Sequence, residues 1–328
     1  MQLERPMMRN SLYTSLMLCP LLAGPLAAET LRIGTITPPP HQWTISAEAL
    51  SARLAEASDG EIDLQVHPAG SLGNEAQMLQ QLQSGALDMA FLTIADLSTR
   101  NAEFGSLIAP CLVSEPAEAT QLLQSPPALD LLDQLGEQGL HGIGFGMAGL
   151  RQVVLRDNWN RSDFDGLKIR TLPIPQEMEF WQQLGAAPTP MPLPALFDAF
   201  ANGQIDGMQI DFEGTWNSGY YEYAGEILAS DHMIFPMVAV FSARKWQALD
   251  EATRQMISEQ TAAELDVLHE AYARIDSDYR AKLETTDVPV TDARAEFCDL
   301  PGVAAWYEKW EAQSPVLKAL RIEAGDPS

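Results

Sequence analysis

Between Asp250 and about Glu284 the chain runs without a glycine or a proline, and Leu268, Tyr272, Ile275, Tyr279 and Leu283 recur at helical spacing. A helix of roughly 35 residues is about 50 Å long at 1.5 Å per residue. A compact domain of about 150 residues is narrower than that. Such a helix therefore has to lie across two domains, unless an unmarked bend divides it. The 328 residues suffice for two domains of usual size, and 46% apolar content excludes a disordered chain.

Elsewhere short apolar segments alternate with amphipathic ones. Strands are predicted at residues 30–36, 62–66, 87–92, 140–146, 152–155, 167–171 and 205–209, and helices at residues 43–57, 74–83, 177–184 and 195–202. Residues 115–138 read as helical in their later part, broken at Pro126-Pro127. This order implies βαβ units and largely parallel sheets, an α/β fold.

The first 28 residues have the layout of a secretory leader: Arg5 and Arg9, an apolar stretch from Leu12 to Leu26, then Ala27-Ala28 as small residues for cleavage. A membrane anchor is disfavoured by the shortness of the run and by Pro20 and Pro25. A lipid anchor at Cys19 is disfavoured by the bulk of Leu18. Cleavage after Ala28 is expected, with export of the mature chain. Cys111 and Cys298 then remain, and an oxidising compartment permits their pairing without any spacing that demands it.

Loss of Glu4, Arg5 and Arg9 moves the net charge from −25 to −26. No basic run offsets it, so nucleic acid is not an expected partner. Signals for catalysis are scarce. No histidine pair has the spacing of a zinc helix and neither remaining cysteine sits in a CxxC, so no metal and no cofactor is expected. Gly144-Phe145-Gly146-Met147-Ala148-Gly149 fits GxGxxG, but the strand-like Gln152–Leu155 follows where a dinucleotide site needs a helix. Those glycines are expected to serve a crossing between domains. Nothing assigns the chain as an enzyme. The competing classes are a secreted hydrolase using a carboxylate pair, and a ligand sensor for a membrane receptor.

Two arginines are more informative. Arg170 closes the strand-like Gly166–Arg170, and the C-terminal end of a parallel strand opens on the crevice where α/β sheets bind ligands. Arg151 precedes another strand. A guanidinium fork matches a carboxylate with two parallel hydrogen bonds. A structural salt bridge with one of the many acids is the alternative use of either residue.

Four segments, in order, resemble the substrate-binding subunit of tripartite ATP-independent periplasmic (TRAP) transporters of the dicarboxylate-binding type. They are Pro68–Glu75 continuing through Gln81–Met89, Asp165–Arg170, Leu184–Pro192, and Gly203–Gly207. The similarity covers essentially the whole mature chain. It implies a two-lobed periplasmic-binding-protein fold with a hinge and a long helix spanning both lobes. The lobes would be residues 29–150 and 151–235, with residues 236–328 forming a returning strand, the helix and a shared C-terminal segment. It implies capture of a small organic acid anion by a monomer and delivery to small and large membrane subunits. By the resemblance, Arg170 grips the carboxylate and Arg151 assists, two buried guanidiniums left facing each other until an anion arrives. Thr93, Asp96 and the loop to Trp43 would approach from the first lobe, and Met191, Gln209, Ile210 and Met237 from the other side. Sugar-acid binders of the family carry polar groups where this chain has Ile210 and Met237. Burying a hydroxyl unpaired costs about 1–3 kcal/mol, so a less hydroxylated acid, or a sulfonate, is expected.

Overall fold

The computed structural model describes residue 2, residues 28–158 and residues 164–325. The expected leader, Cys19 included, lies outside the described residues apart from its two edges. Among the described residues, no helix is long and apolar enough to cross a membrane.

Two sheets organise the chain. The first contains β1 (Glu29–Thr35), β2 (Ile62–His67), β3 (Met89–Thr93), β4 (Leu140–Leu150) and β10 (Ile234–Ser242), in the order β2-β1-β3-β10-β4. The second contains β5 (Gln152–Leu155), β6 (Lys168–Thr171), β7 (Ala187–Pro190), β8 (Gly207–Ile210), β9 (Glu226–Ala229) and β11 (Val290–Asp292), in the order β11-β9-β5-β8-β6-β7. β2, β1 and β3 are parallel, as are β8, β6 and β7, which is what the alternating pattern predicts. β10 runs antiparallel between β3 and β4. All nine residues of β10 are buried, so it has no alternating solvent face and reads as an unbroken apolar run.

The chain changes sheets at Arg151, the single residue between β4 and β5, and again between β9 and β10. The two crossings hydrogen-bond to each other: Arg151 N donates to Met233 O at 2.7 Å, and His232 N donates to Arg151 O at 3.2 Å. Two adjacent connecting strands of this kind form a hinge.

The Gly/Pro-free stretch is one helix, Glu251–Leu283, of 33 residues. Asp250 caps it, accepting from Thr253 N, and Arg280 and Lys282 occupy its last turn, where cations suit the helix dipole. Leu265, Leu268 and Tyr272 join the core around the first sheet, whereas Leu283 joins the smaller core of Val154, Met208 and Ile227 in the second. The helix thus spans both lobes. It also explains Gly144 and Gly146 of the GxGxxG, which do not serve the crossing, whereas Gly149, at φ +70°, stands two residues before it. They lie inside β4, and a Cβ on Gly144 or Gly146 would meet Leu265 Cδ1 at 2.7 Å or Met237 Cε at 2.8 Å. The absent side chains let the helix and Met237 pack directly on the strand.

Pro126-Pro127 does not interrupt a helix but starts one, Pro126–Gln134, after a first helix Pro116–Leu123. Cys111 and Cys298 form a disulfide. It ties the segment after residues 102–108 to the C-terminal helices, beside the second crossing, where Arg294 donates to Asp231 O and Val113 O.

Candidate functional site

Between the two sheets lies a cavity of about 400 Å³. Trp43, Glu75, Thr93 and Asp96 line it from the first lobe, and Arg170, Met191 and Ile210 from the second. Arg151 and Phe235 line it at the two crossings. Seven of the nine expected ligand residues therefore meet in one space.

Arg170 sits at the C-terminal part of β6, only 3% exposed. Its Nε and Nη2 both donate to Met191 O, at 3.1 and 2.9 Å. Its other N–H groups have no hydrogen-bond partner among the described residues, and no described carboxylate lies within ion-pair distance. Burial lowers its pKa, and Glu177, Tyr220 and Glu75 oppose that from farther away.

Arg151 is equally buried at 4% but differently supplied. Nη1 donates to Asp211 Oδ2 at 2.9 Å, and the guanidinium carbon lies 3.3 Å from the centre of the Phe235 ring. Trp43 stacks parallel to Phe235, with centroids 6.1 Å apart. Burial lowers the Arg151 pKa to about 10, Asp211 raising it and Arg170 lowering it further. The expectation of two unpaired guanidiniums is corrected here: Arg151 already has its carboxylate, because Asp211 follows β8 and is aimed back at the crossing.

Gln209 and Met237 are not in the cavity wall. Gln209 points behind β8, where its Oε1 accepts from Trp181 Nε1 at 3.0 Å and pairs with His232 Nε2 at 2.9 Å. Its amide also supports the carboxylate of Glu177. Burial lowers the His232 pKa to about 3, so this imidazole is neutral. Met237 is fully buried, paired across the sheet with Thr93 and Gly146. Of the two apolar positions expected to face the ligand, Ile210 does so and Met237 does not.

Two acids on the first lobe complete the cavity. Glu75 was overlooked in the sequence, although it stands in the matched glycine-turn segment. Its Oε1 accepts from Thr93 N at 2.6 Å and Oε2 from Thr93 Oγ1 at 2.9 Å. Desolvation pushes it up to about 7 despite those donors. Asp96 is also raised by burial, with Arg100 opposing.

His41, Asp211 and Glu213 bring potential metal-ligand atoms within 4.8 Å of one another. The donor set does not suit a cation. Arg151 and Gly214 N occupy Asp211, while Tyr272 and Gln42 N occupy Glu213. A divalent ion would also sit against the Arg151 guanidinium.

The geometry defines a class: a hinged, two-lobed α/β protein enclosing a mostly apolar cavity with one carboxylate-free guanidinium. The family model described as DctP, bacterial extracellular solute-binding protein, family 7, matches residues 33–301. The chain is 26% identical over 234 residues to the 2,3-diketo-L-gulonate-binding periplasmic protein of Escherichia coli, covering 71% of each. It is 21% identical over 324 residues to the sialic acid-binding periplasmic protein of Vibrio cholerae, covering 97% of this chain and 96% of that one. Among solved structures, the sugar acid binding protein of Advenella mimigardefordensis in complex with galactonate superposes with a TM-score of 0.85 at 23% identity, over 92% of this chain and 100% of that one. The chain belongs to family 7 of the bacterial extracellular solute-binding proteins. It is a TRAP-type solute-binding protein, not an enzyme.

Proposed function

We propose that the cleft takes a small organic acid whose carboxylate, or sulfonate, is bound by the free edge of Arg170. One observation carries this: a nearly inaccessible guanidinium, with no carboxylate partner among the described residues, lines a cavity otherwise rich in apolar side chains. A buried cation without a counter-ion is costly, and charge-assisted hydrogen bonds to an entering anion, worth about 1.5–3 kcal/mol each, offset that cost. Arg151 adds positive potential rather than a second fork, since Asp211 holds it. Trp43, Met191, Ile210 and Phe235 receive an apolar body. Thr93 and Asp96 stand where a polar substituent would be read. Gln209 acts only through Glu177 and His232, and Met237 only through packing.

The organisation follows from this role. Residues 29–150 and 151–235 act as lobes and residues 236–328 as the shared part, in a monomer whose leader is cleaved near Ala28. The loaded protein delivers its solute in the periplasm to the small and large TRAP membrane subunits.

A calorimetric panel tests the solute class. Pantoate was the molecule fitted to density in a Bordetella relative, and galacturonate and L-gulonate are bound by others. Pantoate, a compact acid with an apolar centre, is expected to bind more tightly than D-galacturonate, galactonate or L-gulonate. Tight binding of a uronate with no binding of pantoate would overturn the apolar-body assignment. Native mass spectrometry of freshly purified protein then identifies the retained anion.

A further inference from the structure

Glu213 is the second residue of the short helix Phe212–Asn217 that follows β8, and it is 1% exposed. It takes no part in the cavity wall. Its Oε1 accepts from Gln42 N at 2.8 Å, and its Oε2 accepts from Tyr272 Oη at 2.7 Å. His41 Nε2 lies 3.6 Å from the same oxygen. Gln42 opens the helix Gln42–Ala57, which packs on the first sheet, and Tyr272 belongs to the long helix. One carboxylate from the second lobe therefore accepts two hydrogen bonds, with an imidazole close by, from groups that all belong elsewhere.

The His41 end is arranged for this. His41 Nδ1 accepts from Trp43 N at 3.2 Å, so in the neutral ring the proton sits on Nε2, the nitrogen facing Glu213. Trp43 is then fixed by its own Nε1, which donates to Met147 O at 2.8 Å, and presents its ring to the cavity. The tripeptide His41-Gln42-Trp43 thus joins the carboxylate, the first lobe and the cavity wall within three residues. Two positions upstream, Asp211 holds Arg151 at the hinge.

We infer that Glu213 is an inter-lobe buckle: by gathering the Gln42 and Tyr272 donors, with His41 alongside, it holds the cleft closed, and so sets how long a captured solute stays. Opening the lobes strips these donors from a carboxylate that is desolvated when closed, and water must replace them. The buckle is a positioning element, since it touches no solute. It rests on the capture role proposed above only in making closure useful, and its test needs no solute.

Spin labels on Glu48→Cys and Asp198→Cys, exposed sites on helices of opposite lobes, report the inter-lobe distance in solute-free protein. The closed population is expected to be present in the otherwise unchanged chain. Glu213→Ala is expected to lower the closed-to-open ratio by at least about tenfold, since it removes the bonds to both Gln42 N and Tyr272 Oη. Gln42→Pro deletes the donating N–H, together with the side-chain bond from Gln42 Nε2 to Ser46 Oγ at 3.3 Å, which stays within the first lobe. Proline is tolerated at the first helical position, and His41 already has the extended backbone (φ −78°, ψ 141°) that precedes a proline. This variant is expected to shift the ratio in the same direction by a smaller factor, and it decides the matter if Glu213→Ala does not fold. A wholly open solute-free protein, a Glu213→Ala distribution identical to the parent, or a Gln42→Pro distribution unchanged from it would each overturn the buckle. Failure of the calorimetric panel leaves these distances untouched, so the two proposals fail separately.

Discussion

The two cavity arginines are the same residue, buried to the same degree, on the same cleft, and they are not equivalent. Arg151 has a carboxylate at 2.9 Å and an aromatic face at 3.3 Å. Arg170 has a single carbonyl oxygen, shared by two of its nitrogens. Burial alone therefore does not mark a binding cation. What marks it is the absence of a built-in counter-ion. Arg151 serves the hinge, where its own backbone bridges the two crossings, and its charge is already neutralised there. Arg170 stands on the second lobe beside a cavity, with no carboxylate partner among the described residues.

Substitutions that exchange these situations should separate the two roles. The largest effect is expected from Asp211→Ala. It strands Arg151 as a buried unpaired cation, and loss of one partner of such a pair costs about 3–5 kcal/mol. Denaturant unfolding should show that loss directly; a stability unchanged from the parent would mean that Arg151 has another partner. Arg170→Ala should do the reverse. Removing a cation that lacks a counter-ion leaves stability near the parent's, while binding of the acid selected by the calorimetric panel weakens by about 2–5 kcal/mol. Unchanged affinity would remove Arg170 from the site. A smaller effect, about 1 kcal/mol, is expected from Ile210→Asn, which gives a hydroxyl a partner where there was none. D-galacturonate should gain and pantoate should lose, as competition calorimetry would show.

How far these roles were legible in the sequence depends on the distance over which each is decided. The long helix was legible because its period and its lack of Gly and Pro are local, and Arg170 because the end of a parallel strand is a local position with a known outlook. The Arg151–Asp211 pair joins residues 60 apart in the chain, and no spacing rule connects them. Gln209 is different. It precedes Ile210 on β8, and adjacent strand residues face opposite sides, so both could not line one cavity. The period of two already separates them. Phe235 and Met237 defeat that same rule. They stand two apart on β10, yet only Phe235 reaches the cavity, while Met237 lies deeper in the first sheet, paired with Thr93 and Gly146. Gly144 and Gly146 are decided by Leu265 and Leu268, more than a hundred positions later.

The contrast between the arginines is sharpened last by Glu75, the conditional counterpart of Asp211. Its carboxyl shares the cavity with Arg170 without forming an ion pair, and desolvation holds its pKa at about 7, above its ordinary 4.5. The folded protein thus keeps a proton that the unfolded chain releases between those two values. The associated stability is complete below about pH 4.5 and is lost as pH rises through about 7. Glu75→Gln keeps the shape and removes the titration. The stability of the parent relative to that variant should therefore fall from pH 5 to pH 8, measured by thermal unfolding at matched ionic strength. Parallel curves would show that Glu75 titrates as an ordinary surface acid. Solute binding should follow the same sign, because above pH 7 an entering anion meets a charged Glu75 beside Arg170. At lower pH the carboxyl is neutral and the guanidinium is left to the solute alone.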